Sequence, residues 1–214
     1  MALAPNLHSY LNDKKDGTQI FMKTDTHWSP DGASLVAHHL ANVVNTHRPA
    51  LVTPDKNYLT LAQEEIRYGG DLNEFIPTGI AKSIIGPHKE PLITHKTTEV
   101  AGEVIEGEGS DAEFSLFGDE QIQIVLVGTS YSYEKEWNFE GALRQAFGAD
   151  VLNVSDEGKG PMQPMIEWLK EADLRHNPPK LVIWEIPERF MPDDKAYDMQ
   201  VMKDLLKQAK VGEK

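Results

Sequence analysis

The chain has 214 residues, with 34 acidic and 21 basic side chains and a formal net charge of −13. This length predicts one domain with room for an insertion, and the acidic excess disfavours nucleic acid and anionic membrane surfaces as partners. The absence of cysteine excludes thiol catalysis, disulfides and Cys-ligated metal sites, and no apolar stretch reaches the roughly 20 residues of a membrane helix.

The amino-terminal part predicts a strand and a helix around one histidine. Ile20–Lys23 has the composition of a short strand that leads directly into Asp25–Trp28 (DTHW). Ser29 is suited to cap a helix and Pro30 to occupy its first position, and apolar residues then recur at helical spacing. Leu61–Ile66 predicts a further short helix.

The middle of the chain predicts a small β insertion and an acidic loop. Pro91–Val104 alternates with β-branched residues and predicts a strand of a second, smaller sheet. Thr97–Glu134 holds nine acidic residues without lysine or arginine, which is typical of a solvated loop, and the spacing does not fit an EF-hand. We expect a single domain over 1–214, with a β and acidic-loop insertion at about 91–120.

Strands and helices alternate from residue 122 onward. Continuous apolar strands are predicted at Ile122–Val127, Asp150–Val154 and Leu181–Ile186. Helices are predicted at about Asn138–Phe147, Met162–Asp173 and Ala196–Lys210. This alternation is typical of an α/β fold with a doubly wound, mostly parallel sheet, in which ligands bind at the carboxyl ends of the strands.

A candidate nucleophile follows the first of these strands. Ser130 comes after Ile122–Val127, where the next helix should begin. A serine there is raised to the edge of the sheet, beside backbone N–H groups and the positive end of a helix dipole. It becomes a nucleophile only when a base accepts its proton, and otherwise the position suits a helix N-cap.

Asp25 and His27 supply the base that Ser130 would need. Residues two apart on an extended segment place their side chains on one face. The carboxylate can then hold one imidazole nitrogen while the other nitrogen faces the nucleophile, as in a Ser-His-Asp triad. For this pair alone, the alternative is a turn aspartate and a surface histidine.

Other residues near the strand ends are candidates for binding. Gly158 and Gly160 would bring N–H groups to an oxyanion, or else form a simple turn. Arg189 would form a salt bridge with a neighbouring glutamate or meet an anionic polysaccharide. Aromatic residues here would pack or stack on sugar rings; they are Trp28, Tyr131, Tyr133, Trp137 and Trp184. The helical histidines lack the spacing of a zinc pair, so no metal site is predicted.

Several segments resemble the alginate O-acetyltransferase family of AlgJ and AlgX. Lys23–Ala33 is similar to the Asp-x-His-Trp segment of that family, Val127–Ser132 to its nucleophile segment and Trp184–Arg189 to its carboxyl-terminal strand motif. Gly70–Leu72 is similar to a shorter Gly-Asp-hydrophobic element between the first two. The resemblance covers the chain from about Ile20 to Arg189.

This resemblance implies an SGNH-hydrolase-like fold in a circularly permuted order. It implies that Ser130 is the nucleophile, His27 the general base and Asp25 the residue that orients His27. It also implies a place in the periplasm or cell envelope, where members act on exopolysaccharides such as alginate or acetylated cellulose and receive acetyl groups through a membrane-bound O-acyltransferase. Since only 24 residues precede Asp25, the chain is expected to lack an amino-terminal part of the sheet, with its signal or anchor.

The expected function is O-acetyl transfer to an exopolysaccharide through an acetyl-Ser130 intermediate, with no cofactor. If water accepts the acetyl group, the same residues make a carbohydrate acetyl esterase. A third hypothesis is a non-catalytic polysaccharide-binding or assembly subunit, which predicts Asp25, His27 and Ser130 too far apart for hydrogen bonds. The polymer, the acetyl donor and the oligomeric state stay open, although a net charge of −13 disfavours a polyuronate.

Overall fold

The computed structural model describes residues 2–75, 79, 86, 88–100, 122–172, 174, 176–191, 201 and 203–204. Most of the predicted acidic loop and of the predicted helix at 196–210 lies outside these residues. Within the described part, none of the helices combines the length and apolar character that a membrane crossing requires.

The described residues contain strands and helices along their whole length. The strands are β1 (Asn57–Tyr68), β2 (Glu90–Val100), β3 (Ile124–Val127), β4 (Val151–Asn153) and β5 (Leu181–Trp184). The α-helices include α1 (Leu7–Lys14), α2 (Pro30–His47), α3 (Ser130–Tyr133), α4 (Phe139–Phe147) and α5 (Met162–Glu171). Helix α2 begins as predicted, with the Ser29 side chain accepting the Gly32 N–H at 3.0 Å.

Strands β3, β4 and β5 form a parallel sheet with β3 in the centre. All four residues of β3 are buried, as expected for a strand covered on both faces. The strands predicted at these positions are confirmed with narrower bounds. Helices α4 and α5 begin within one residue of their predicted starts. The predicted parallel α/β architecture is therefore confirmed.

The side chains of β3 fill the core on both sides of the sheet. Ile124 and Leu126 pack in the cluster formed with α2 and α4. Val125 and Val127 point the other way, against apolar residues of α5. Because each buried aliphatic side chain contributes roughly 1.5–3 kcal/mol, this packing fixes the carboxyl end of β3, from which Ser130 follows.

Strands β1 and β2 form a separate antiparallel sheet. The strand predicted from Pro91 is confirmed over Glu90–Val100. The helix predicted at Leu61–Ile66 is wrong, because this segment lies inside β1 and pairs with β2. The register shifts between Ala62 and Glu65, and this irregularity breaks the alternation by which a strand is recognised.

The strand predicted at Ile20–Lys23 is also wrong. The segment makes a single isolated antiparallel bridge, between Phe21 and Trp28. The chain reverses within this short stretch, with the Met22 N–H donating to the His27 carbonyl at 3.0 Å. The segment is too short to pair with the parallel sheet as well, so Asp25 and His27 lie on a compact loop and not at the end of a strand.

Glu90, the first residue of β2, fixes this loop. Its carboxylate accepts the Lys23 N–H at 3.1 Å, the Thr24 N–H at 2.7 Å and the Thr24 hydroxyl at 2.6 Å, while the residue is only 7% exposed. Burial alone would raise the pKa of the Glu90 carboxyl, but these hydrogen bonds outweigh burial and hold the pKa below its usual value.

We expect Glu90→Gln to lower the free energy of unfolding by about 2 kcal/mol at neutral pH, because the amide NH₂ would face one of the backbone N–H donors. Since the folded-state pKa of Glu90 is lowered, its contribution is present above the unfolded pKa of about 4.3 and is lost as pH falls through the folded value. Urea unfolding at several pH values should therefore show the difference from wild type shrinking in acid. The exposed Glu99→Gln is the control on the same strand, and a pH-independent difference would contradict this role.

Candidate active site

Three predicted residues are joined by hydrogen bonds. His27 Nδ1 lies 2.5 Å from Asp25 Oδ1, and His27 Nε2 lies 2.7 Å from Ser130 Oγ. Asp25 and His27 are buried, whereas Ser130 is partly exposed. A carboxylate on one imidazole nitrogen and a hydroxyl on the other is the geometry that general-base activation of a serine requires. A non-catalytic subunit was predicted to have these three residues too far apart for hydrogen bonds, and that separation is not observed.

The Asp25 carboxylate is occupied on both oxygens. Oδ1 also accepts the backbone N–H of His27 at 2.9 Å, and Oδ2 accepts the Tyr68 hydroxyl and the Asp71 N–H at 3.0 Å each. Burial alone would raise the pKa of Asp25, but the hydrogen bonds from His27, Asp71 and Tyr68 hold it below its usual value. The carboxylate therefore stays charged and keeps the proton of the imidazole on Nδ1, so that Nε2 can accept a proton from Ser130.

Two aromatic rings enclose the imidazole of His27. Its ring centroid lies 4.6 Å from that of Tyr131 and 5.3 Å from that of Trp137, with the Trp137 ring stacked. The Tyr131 hydroxyl donates to the Thr26 carbonyl, and the Trp28 indole N–H donates to the Tyr131 carbonyl at 3.1 Å. Trp28 and Trp137 are buried, so packing and not sugar stacking is their role.

A partly buried glutamate holds the turn that carries Ser130. Glu185 Oε2 accepts the Thr129 N–H at 2.8 Å, the Thr129 hydroxyl at 3.0 Å and the Ser132 hydroxyl at 3.2 Å. Burial raises the pKa of Glu185, and these hydrogen bonds offset only part of that effect. The sequence placed Glu185 in the carboxyl-terminal motif but suggested only a salt bridge for it, and this positioning contact was missed.

Gly70 and Asp71 close the Asp25 loop from the other side. The Asp71 carboxylate accepts the Thr26 N–H at 2.8 Å and the Thr26 hydroxyl at 2.6 Å. A Cβ on Gly70 would lie 2.3 Å from the Thr24 carbonyl oxygen and 2.4 Å from the Asp25 Cβ, so glycine is required. The sequence analysis identified Gly70–Leu72 by its similarity to a family element, but it did not predict these contacts.

Two predicted oxyanion residues and one predicted aromatic residue lie outside this hydrogen-bond network. Gly158 and Gly160 have φ angles of 71° and 66°, which fit the simple-turn alternative. Among the described residues no hydrogen bond links them to Ser130, and their oxyanion role stays a prediction. The Trp184 indole N–H donates to the Pro161 carbonyl at 2.9 Å, and its ring packs against the core under α5.

Arg189 and Tyr133 are the exposed side chains of the predicted set. The Arg189 guanidinium lies 5.3 Å from the centroid of the Tyr131 ring, a cation–π contact. In the described part of the chain Arg189 makes no salt bridge with a neighbouring glutamate, which was one of the two predicted alternatives. Tyr133 is 49% exposed, which leaves its ring accessible to a ligand.

A cavity of about 470 Å³ opens beside Glu134, whose carboxylate lies close to His27. Its lining residues are Tyr68, Tyr133, Glu134, Lys135, Glu136 and Glu157. Glu134 Oε1 lies 3.9 Å from His27 Nε2. Burial raises the pKa of Glu134, and the nearby His27 offsets part of that rise. The sequence counted Glu134 only as part of a solvated acidic stretch, so its place at the site is a correction.

The only candidate metal cluster in the described part of the chain shares Asp25 and His27 with the hydrogen-bonded group that includes Ser130. Ligand atoms of Asp25, His27 and Asp71 lie within 4.8 Å of one another, and carboxylate and imidazole are acceptable ligands for several divalent cations. However, His27 Nδ1 and Asp25 Oδ1 are 2.5 Å apart, too close to hold an ion between them at bond lengths of about 2.0–2.2 Å. The geometry therefore favours a hydrogen-bonded pair. His38 and His47 donate to backbone carbonyls of their own helix.

The sequence matches a family model described as the SGNH hydrolase-like domain of acetyltransferase AlgX, over residues 2–188. The probable alginate O-acetylase AlgJ of Pseudomonas aeruginosa is 44% identical over 191 residues, which are 88% of this chain and 48% of that protein. The probable alginate O-acetylase AlgJ of Azotobacter vinelandii is 40% identical over 198 residues, with 92% and 48% covered. The chain thus spans about half the length of the curated relatives it matches.

Two solved structures are also similar. The O-acetyltransferase domain of Pseudomonas putida AlgJ has a TM-score of 0.76 and 34% identity, covering 95% of this chain and 66% of that one. Pseudomonas aeruginosa AlgX has a TM-score of 0.60 and 27% identity, covering 78% and 37%. The predicted SGNH-hydrolase-like fold is confirmed, while the circular permutation stays a prediction from the order in which Asp25, His27 and Ser130 follow one another.

Proposed function

The chain belongs to the SGNH hydrolase-like acetyltransferase family of AlgX and AlgJ, and we propose that it transfers acetyl groups onto hydroxyl groups of an exopolysaccharide. The observation that carries this proposal is the unbroken hydrogen-bond chain from Asp25 through His27 to Ser130. Family membership supplies the acyl-transfer chemistry, and the hydrogen-bond chain supplies a nucleophile with its base.

In the first half-reaction, Ser130 Oγ attacks the carbonyl carbon of an acetyl ester while His27 Nε2 accepts the hydroxyl proton. The Asp25 carboxylate holds Nδ1 and stabilises the imidazolium that forms. The Ser130 N–H, at the start of α3, donates to the oxyanion, with Gly158 and Gly160 as the further predicted donors. When the intermediate collapses, the donor alcohol leaves with the proton of His27 and Ser130 carries the acetyl group.

In the second half-reaction, a sugar hydroxyl gives its proton to His27 and attacks the acetyl carbon. The new sugar ester forms, the bond to Ser130 Oγ breaks, and the proton returns to Oγ. If water takes the place of the sugar, the chain is a carbohydrate acetyl esterase. This second candidate is favoured by the partial exposure of Ser130, because transfer requires a site that binds sugar in preference to water.

We further propose an alginate-like or cellulose-like polymer as the acceptor, a membrane-bound O-acyltransferase as the source of acetyl groups, and a place in the periplasm or cell envelope. The names of the relatives as alginate O-acetylases support the polymer class. The net charge of −13 opposes a polyuronate in general, whereas Arg189, over the Tyr131 ring, offers a local cation.

Reaction with p-nitrophenyl acetate tests the proposal directly. We expect a burst of p-nitrophenol equal to the enzyme present, and peptide mass mapping after rapid acid quenching should place one acetyl group on Ser130. A serine-directed sulfonyl fluoride should block the burst and label the same residue. Acetylation that maps to lysines alone, with no burst, would contradict a serine acyl-enzyme.

A further inference from the structure

The reacting atoms face a carboxylate that the triad does not use. Glu134 Oε1 lies 3.9 Å from His27 Nε2, the nitrogen that also contacts Ser130 Oγ at 2.7 Å. The Glu134 side chain is 24% exposed, and no donor among the described residues makes a hydrogen bond to its carboxylate. A half-buried carboxylate without a donor is costly, and a ligand hydroxyl would supply the missing hydrogen bond.

The surroundings of Glu134 fit a sugar unit. The adjoining cavity, at about 470 Å³, is within the size range of small-molecule sites. Tyr133 contributes a half-exposed ring, whose apolar face and polar edge suit a sugar ring. Glu136 and Glu157 outnumber Lys135 in the rest of the charged lining, so the cavity disfavours a carboxylate and suits hydroxyl groups.

We propose that this cavity is the acceptor subsite, and that Glu134 accepts a hydrogen bond from the hydroxyl next to the one that reacts. The inference rests on the proposed acetyl transfer and deepens it. It assigns the acceptor as the vicinal diol edge of a sugar. One hydroxyl faces His27 Nε2 while its neighbour faces Glu134 Oε1, since the two atoms are separated by a distance that adjacent ring hydroxyls can span.

The transfer step balances with Glu134 unchanged. The reacting hydroxyl gives its proton to His27 Nε2 as its oxygen bonds to the acetyl carbon, and the ester bond to Ser130 Oγ then breaks as Oγ takes that proton back. The neighbouring hydroxyl keeps its own proton and donates it to Glu134. Water has no second hydroxyl to make this contact, so the same contact favours transfer over hydrolysis. A uronate would enter by its diol edge, with its carboxylate directed away from the cavity.

Partitioning between two neutral acceptors tests this role. The chain is acetylated with p-nitrophenyl acetate in the presence of cis-1,2-cyclohexanediol or cyclohexanol, and the acetyl ester formed is divided by the acetate released. The p-nitrophenol burst normalises each sample for active enzyme. Counted per hydroxyl group, we expect the wild type to prefer the diol by about tenfold, the size expected for one hydrogen bond to a charged group. Glu134→Gln, whose amide oxygen can still accept, should lower this preference, and Glu134→Ala should bring it close to one.

The control is Glu171→Gln, which makes the same charge change at an exposed position at the end of α5 and should keep the diol preference. An unchanged diol preference in both Glu134 variants would overturn the acceptor role and leave acetyl transfer standing. An equal fall in transfer to both alcohols would also overturn it, because Glu134 would then act through His27. A wild type with neither a burst nor an acetyl group on Ser130 would overturn the proposed function and this inference together.

Discussion

Replacing Ser130 by alanine is expected to lower kcat for acetyl-ester cleavage by about 10⁴-fold or more, as removal of a triad nucleophile does elsewhere. Without Oγ there is no atom on which an acetyl group can be held. The His27–Asp25 pair is still present, but it can only activate water from a position arranged for serine. The residual rate should show no burst, and no acetyl group should map to the surrounding peptide.

This loss should occur without unfolding. Ser130 is partly exposed, and its hydroxyl makes one hydrogen bond, to His27, so the free energy of unfolding should change by less than about 1 kcal/mol. Ser34→Ala, which removes a hydroxyl from α2, is the control for the substitution and should keep full activity. Turnover within tenfold of wild type in Ser130→Ala would mean that Ser130 is not the nucleophile and that acetyl esters react elsewhere.

Local sequence patterns predicted the parallel sheet because its strands are continuous and apolar. Ile124–Val127 is buried on both faces, so its composition is unambiguous without any knowledge of its neighbours. The errors fell where pairing outside the segment decides the structure. Leu61–Ile66 is a strand only through β2 and carries an irregular register, and Ile20–Lys23 is held as a loop by Glu90, which is 66 residues away from Thr24.

The same distinction separates the site residues that were predicted from those that were missed. Asp25 and His27 are two residues apart and are recognised together. Ser130 is recognised because it follows the end of an apolar strand. The residues that hold them in place come from distant parts of the chain and are recognised only after folding. These are Tyr68, Glu90 and Glu185.

Several of the acidic residues also have a structural role at the site. Glu90 and Asp71 each accept a backbone N–H and a hydroxyl from the loop that carries His27, and Glu185 does the same for the turn of Ser130. Carboxylates suit this task because both oxygens accept, and backbone N–H groups of an irregular loop need acceptors. Part of the acidic excess therefore builds the site and does not merely solvate the surface.

The second large effect is expected for Asp25→Asn, which should lower kcat by about 10³–10⁴-fold, the range in which the same substitution acts in serine protease triads. Each Asp25 oxygen accepts two donors, and each set includes a backbone N–H: that of His27 on Oδ1 and that of Asp71 on Oδ2. An asparagine must turn its NH₂ toward one of these sets. If the NH₂ replaces Oδ1, it also faces His27 Nδ1, which can accept a hydrogen bond only by moving its proton to Nε2. Nε2 then has no lone pair for the proton of Ser130.

If the NH₂ instead replaces Oδ2, it faces the Asp71 N–H, and that partly buried donor is left without an acceptor at a cost of about 1–3 kcal/mol. One orientation disables His27 as a base, and the other leaves the Asp71 N–H without an acceptor. Asp25→Asn should therefore reduce both kcat and the midpoint of urea unfolding. Tyr68→Phe separates charge from geometry, because it removes one donor to Oδ2 and leaves the carboxylate intact, and it should cost no more than about tenfold in kcat. Equal losses in the two variants would mean that Asp25 acts by holding the loop in shape. A much larger loss in Asp25→Asn, measured at equal folded fraction, follows only if its charge selects the imidazole tautomer that accepts the proton of Ser130.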